Sequence, residues 1–109
     1  DSESKLIGRV VIEQGAEIIR STVSGPAIIG KNTKLIDTYV GPYTAIYNDC
    51  LLEKNEIENS IILENTQIRN VGRIEGSLVG KEVEISGTSD QPKAHKLMLG
   101  DHSKVVISK

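Results

Sequence analysis

Residues 25–46 read GPAIIGKNTKLIDTYVGPYTAI, and the first nine letters nearly spell the phosphate-binding loop G-x-x-x-x-G-K-[ST]. Gly25, Gly30 and Lys31 fall on motif positions, but Asn32 stands where the magnesium-ligating hydroxyl belongs. The longer stretch decides against a nucleotide site. Ile29, Leu35, Val40 and Ile46 recur every five or six residues, and Ala27 and Ile29 are positions of that repeat. No helical pattern follows Lys31, whereas a phosphate loop needs a helix N-terminus to bring its N–H groups onto the anion.

The same step runs outward in both directions. It passes through Leu6, Ile12, Ile18, Val23, Ile29, Leu35, Val40, Ile46, Leu52, Ile57, Ile62, Ile68, Ile74, Val79 and Ile85, and every member is Ile, Leu or Val. Every third member lies 17 residues further on: Leu6, Val23, Val40, Ile57, Ile74. A second constraint follows four places after the leading aliphatic of each six-residue unit, at Val10, Ala16, Ala27, Thr33, Thr44, Cys50, Thr66, Gly72 and Val83, all small or β-branched. Between the two sit Gly15, Asn32, Asp49, Asn65 and Asn70, residue types that tolerate left-handed backbone or bond back to it. Each unit therefore reads as a short strand and a tight corner, and three units close one triangular coil.

Stacking such coils pairs the backbone in parallel and fills the interior with the leading aliphatics. Five coils start at residues 6, 23, 40, 57 and 74 and make an all-β prism about 20 to 25 Å tall. A 3.6-residue helical period does not generate aliphatics at fives and sixes. Residues 1–91 are thus the coiled body and 92–109 a closing segment of the same domain. In that segment Pro92 breaks the repeat, and HKLMLGDHSKVVISK (95–109) carries two apolar runs around Gly100-Asp101 that read as a closing strand pair.

A chain of 109 residues accommodates one domain. Its net charge of -2 gives no pull toward nucleic acid or an anionic membrane. No apolar run is long enough to span a bilayer and no leader pattern is present, so the chain reads as soluble and cytoplasmic. The start at Asp1 rather than Met reads as a processed or excised piece. One cysteine excludes an internal disulfide, and without Phe or Trp the core must come from Ile, Leu and Val.

In a strand whose leading aliphatic points inward, the preceding residue points outward. On the second side of each coil these are Val11, Ile28, Ala45, Ile61 and Leu78, an apolar column. On the third side they are Glu17, Lys34, Leu51, Gln67 and Glu84, mostly polar. Ile61 and Leu78 close five-residue units and have the alternative of turning inward at tight corners, which would shorten the stripe. Ile19 and Ile36 form a further pair 17 residues apart. An exposed apolar patch marks an interface, so these seven residues are the expected oligomer contact.

Catalytic signals are sparse. The two histidines, His95 and His102, both fall in the tail, where surface or packing roles are the ordinary reading. Cys50 occupies a small inward position, where a thiol behaves as a compact apolar group. Tyr39, Tyr43 and Tyr47 have helical spacing but take different places on a coil: the end of one side, a corner and the next side. The run Glu53, Lys54, Asn55, Glu56 reads as a solvated edge, and no set of residues has zinc-ligand spacing. No catalytic, cofactor-binding or metal-binding residue is assigned.

The repeat over residues 6 to about 89 resembles the hexapeptide-repeat family, which implies a left-handed parallel β-helix and makes a trimer the favoured oligomer. More narrowly, IGRVVIEQGAEI (7–18), GPAIIGKNT (25–33), VGPYTAI (40–46) and PKAHKLMLGDHSKVVI (92–107) resemble the C-terminal domain of long-form glucose-1-phosphate thymidylyltransferases. The resemblance implies a separate N-terminal α/β domain that carries the nucleotide loop, the basic residues and the acidic ligands for magnesium, and makes dTDP-glucose from dTTP and glucose 1-phosphate. It implies a non-catalytic assembly role for the β-helix, with that domain and other copies of the chain as partners. Relatives of the scaffold that transfer acyl groups use a histidine base between subunits, and residues 6–91 contain none. The competing readings are an acyltransferase with His95 or His102 as an unusual base, and a scaffold that binds another protein.

Overall fold

The computed structural model describes residues 2–87 and, as backbone, Lys96–Met98. Each coil has three sides. In the first coil they are β1 (Lys5–Ile7), β2 (Val10–Ile12) and β3 (Glu17–Ile19). The second coil has β4 (Thr22–Ser24), β5 (Ala27–Ile29) and β6 (Lys34–Ile36), and the third opens with β7 (Tyr39–Val40) and β8 (Thr44–Ile46). Two long strands, β9 (Leu51–Glu58) and β11 (Gln67–Glu75), each join a third side to the next first side. Between and after them come β10 (Ile61–Ile62), β12 (Leu78–Val79) and β13 (Glu84–Ser86). No helix occurs among the described residues.

The ladders are parallel and their register is that of the repeat. On the first side Leu6 pairs with Val23, Val23 with Val40, Val40 with Ile57 and Ile57 with Ile74. On the second side the sequence is Ile12, Ile29, Ile46, Ile62, Val79. On the third side it is Ile18, Leu35, Leu52, Ile68, Ile85. The structure is thus a β-solenoid of five coils, and from Val23 onward every one of these aliphatics is no more than 2% exposed within a single continuous core. The second side forms its own five-stranded sheet, while the long strands bend the first and third sides into a nine-stranded one.

Corners are made by left-handed residues stacked in columns. Between second and third sides these are Gly15, Asn32, Asp49, Asn65 and Glu82, all with φ between 56° and 82°. The third corner uses Arg20, Asp37, Lys54 and Asn70. The first corner uses Gly8, Tyr43, Asn59 and Gly76, with a cis Gly25-Pro26 bond in the second coil. The expected turn formers Gly15, Asn32, Asp49, Asn65 and Asn70 all have positive φ. Arg20, Lys54, Tyr43 and Glu82 do too, against the preference of their types.

A buried polar lining was absent from the sequence reading. At the third corner the Thr38 backbone N–H donates to Ser21 Oγ (3.1 Å), and Thr38 Oγ1 donates to the Leu52 carbonyl (3.2 Å). One coil further, Asn55 Nδ2 donates to the Ile68 carbonyl (2.8 Å) while Asn55 Oδ1 accepts from the Val71 N–H (3.0 Å). Each side chain satisfies backbone groups that a sharp corner would leave unpaired in the interior. Asn55 is 3% exposed, which corrects its assignment to a solvated edge.

The inward small position expected at Gly72 is filled instead by Val71, 8% exposed. β11 holds one extra residue between Arg69 and Gly72, where the register shifts, and Gly72 itself pairs with Asn55 at φ 80°. A Cβ added there would meet no atom within 4 Å, so the loop bows outward. Past the last coil, Lys96–Met98 (β14) lies antiparallel on β13, with Glu84 opposite Met98. This strand adds an antiparallel rung at that end of the nine-stranded sheet. The expected turn at Gly100-Asp101 and the second apolar run lie outside the described residues.

Candidate functional site

The second side carries the marked surface. Its outer residues are in direct register, Val11 on Ile28, Ile28 on Ala45, Ala45 on Ile61 and Ile61 on Leu78. Strands of this sheet present alternate residues to opposite faces, so the same ladder that buries Ile29 turns Ile28 outward. Val11 is 48% exposed, Ile28 47%, Ile61 43% and Leu78 39%. Ile61 and Leu78 therefore do not turn inward, and the stripe runs the whole height of the prism, about 19 Å at the spacing of stacked strands.

Ile19 and Ile36 do not join this column. They pair with each other on the third side, where their ladder continues into Glu53, and both are half-buried. The three tyrosines also separate. Tyr39 begins a first side rather than ending one, Tyr43 holds the first corner of the third coil with φ 61°, and Tyr47 lies just beyond β8. Tyr43 is 72% exposed and Tyr47 44%.

A shallow groove of about 170 Å³ opens beside the stripe, lined by Glu13, Ile28, Gly30, Ala45, Tyr47 and Asn48 among others. It is smaller than the roughly 300–1,000 Å³ of small-molecule sites. It exists because Ala45 is the smallest rung of the column, with Ile28 and Ile61 on either side of it.

The electrostatics divide the same way. Ion pairs decorate the other two sides and their shared corner: Lys34 with Glu17, Arg69 with Glu53, Arg73 with Glu56, Glu58 and Glu75, and Arg20 with Asp37 at 2.8 Å. The hydrogen bond from Arg20 holds the Asp37 carboxyl below its usual range, and Asp37 in turn raises Arg20. Charges flank the apolar column at its corners, with Arg9 on one edge and Glu13, Lys31, Asp49, Glu64, Lys81 and Glu82 on the other. Among the described residues, Glu64 Oε1 is buried without a hydrogen-bond partner.

The phosphate-loop letters have a structural explanation. Gly30 N–H donates to the Ile46 carbonyl (2.7 Å), Lys31 N–H to Asn48 Oδ1 (2.8 Å) and Asn32 N–H to the Gln14 carbonyl (3.2 Å). None of these donors remains to converge on an anion. A Cβ at Gly30 would sit 2.6 Å from the Tyr47 carbonyl carbon, and one at Gly25 would strike the Arg9 carbonyl. Both glycines answer to the backbone of the adjoining coil.

Cys50 is 3% exposed, and its thiol donates to the Leu63 carbonyl at 3.2 Å. Burial pushes the thiol up to about 11, so at neutral pH it is protonated and not a nucleophile. His95 and His102 lie outside the described residues. Among the described residues no group of three or more His, Cys, Asp or Glu is placed to hold a metal ion, and no helix is long and apolar enough to cross a membrane.

Comparison with known proteins gives relatives along nearly the entire chain. It is 46% identical over 108 residues to a glucose-1-phosphate thymidylyltransferase of Streptomyces griseus, covering 99% of the chain. It is 44% identical over 107 residues to a protein of the same name from Streptomyces antibioticus. Over 71 residues it is 38% identical to the low-salt glycan biosynthesis nucleotidyltransferase Agl11 of Haloferax volcanii. The chain spans 30% of the length of each Streptomyces relative. No family model matches it.

Proposed function

Starting from a chain that is homologous over 99% of its length to part of a glucose-1-phosphate thymidylyltransferase, we propose that it is the assembly domain of a sugar-1-phosphate nucleotidyltransferase. The observation that carries this reading is the aliphatic column Val11, Ile28, Ala45, Ile61, Leu78, in register along one whole side with its four large members exposed and Ala45 half-buried. Each large member gains roughly 1.5 to 3 kcal/mol when fully covered. A second copy covers it, in a trimer whose rotation axis runs parallel to the prism.

In this reading the chain itself catalyses nothing. Thymidylyl transfer from dTTP to glucose 1-phosphate, with its magnesium, belongs to the portion of the protein that the relatives have in addition. The β-solenoid holds those portions together in the cytoplasm. Ile19 and Ile36 form a lesser, separate contact.

Sedimentation and light scattering test the assembly. The expected result is a species three times the 11.8 kDa of the chain, reduced to a monomer by Ile28→Glu. A monomer at all concentrations, unchanged by that substitution, overturns it. Parentage is tested by reading the coding sequence upstream of Asp1, where a nucleotidyltransferase in the same frame is expected and a stop codon contradicts the reading.

A further inference from the structure

We infer that copies of this chain associate with their coils at equal height, so that Tyr43 of one copy enters the groove beside Ala45 of the next. The inference rests on the assembly reading above, whose axis runs parallel to the prism, and adds its central contact. A rotation axis parallel to the prism keeps each coil level with its counterpart. It also brings the first corner of one copy against the second corner of its neighbour, because these corners bound the second side on opposite edges.

Level by level the two edges then match. In the first coil Arg9 faces Glu13, two exposed and opposite charges. In the third coil Tyr43 faces the groove lined by Ala45, Tyr47 and Asn48. Tyr43 is exposed, and its corner backbone is pinned by a hydrogen bond from its own N–H to the Pro26 carbonyl. An aromatic ring with few rotors gains contact there at small entropic cost. In the fourth coil Asn59 faces Glu64, whose Oε1 is buried and lacks a donor.

The inverted alternative, in which first coils meet fifth coils, pairs Lys31 with Glu64 and Glu13 with Lys81. It also turns Asp49 against its own copy, places Tyr43 on Tyr43 and leaves groove facing groove. Exposed ion pairs contribute little beside a buried aromatic ring, so groove filling decides the orientation.

Cysteine cross-linking tests this. Arg9 and Glu13 lie at the two ends of an extended strand, about 13 Å apart and too far for an in-chain disulfide; Cys50 is buried and silent. The Arg9→Cys/Glu13→Cys double variant is expected to form disulfides between copies, whereas Tyr43→Cys alone is not. Tyr43→Ala is expected to raise the dissociation constant about tenfold or more while leaving the thermal transition of the coil in place. Self-linking by Tyr43→Cys, or an unchanged dissociation constant in Tyr43→Ala, overturns this inference while the oligomer and its sensitivity to Ile28→Glu survive. A wild-type chain that is monomeric throughout overturns the assembly reading itself.

Discussion

The second and third sides of the prism share a parallel register and an inner aliphatic ladder, yet their outer columns differ. One carries Val11, Ile28, Ala45, Ile61 and Leu78, the other Glu17, Lys34, Leu51, Gln67 and Glu84. Since both sides fold the same way, folding places no demand on the outer residue. An aliphatic column there reflects a requirement other than closing the coil, and contact with a second copy is the requirement we propose.

That separation of inner from outer can be broken deliberately. The largest effect belongs to the inner ladder: Leu35→Ala is expected to lower stability by about 2–5 kcal/mol, the cost of emptying a packed site, read as a shifted denaturant midpoint. Asn55→Ala is expected to cost about 1–3 kcal/mol, because the Ile68 carbonyl and the Val71 N–H then lose their buried partner. The same denaturation experiment measures it, and a change under 0.5 kcal/mol would return Asn55 to the surface class.

Alkaline pH probes the interior through Cys50. Its folded value of about 11 lies above the ordinary thiol value of 9.0, so the unfolded chain releases this proton first. Stability is therefore complete below about pH 9 and falls, by on the order of 2 kcal/mol, as pH rises toward 11. A Cys50→Ala variant is expected to lack that slope. The smallest effect on the fold is expected at the outer column, where Ile28→Glu shifts the stability of the isolated coil by no more than about 0.5 kcal/mol. Should Ile28→Glu unfold the chain as Leu35→Ala does, the two sides differ in folding and not in contact.

The sequence made the coils legible because an inner position admits only Ile, Leu or Val and recurs often enough to set its own register. Left-handed corners were legible where Gly, Asn or Asp occupied them, and illegible at Arg20, Tyr43, Lys54 and Glu82, where stacking overrides residue preference. The polar lining was missed for a different reason. A count forward from the preceding aliphatic meets the small inward position only in six-residue units. Counted back two places from the following aliphatic, Ser21, Thr38, Asn55, Ser60 and Ser77 fall into line with Ala27, Thr33 and Thr66, and all are buried. The apolar column was read correctly from alternation alone, whereas the groove depends on Ala45 lying level with Tyr47 and Asn48 in a folded corner. Ile19 and Ile36 share the spacing of the column but not its side, and spacing carries no information about which corner intervenes.

Gly72 shows how such a chain tolerates changes in its length. The first corner is one residue shorter in the fourth coil, where Ile57 to Ile62 spans five positions and Val40 to Ile46 spans six. The extra residue between Arg69 and Gly72 restores the count before Ile74 pairs with Ile57. A deletion at one vertex is thus cancelled by an insertion at another. Indels behave here like frameshifts that need a compensating frameshift within one circuit, and the bowed vertex at Gly72, with open space around it, is where foreign residues can be spliced in without disturbing the phase of the layers above.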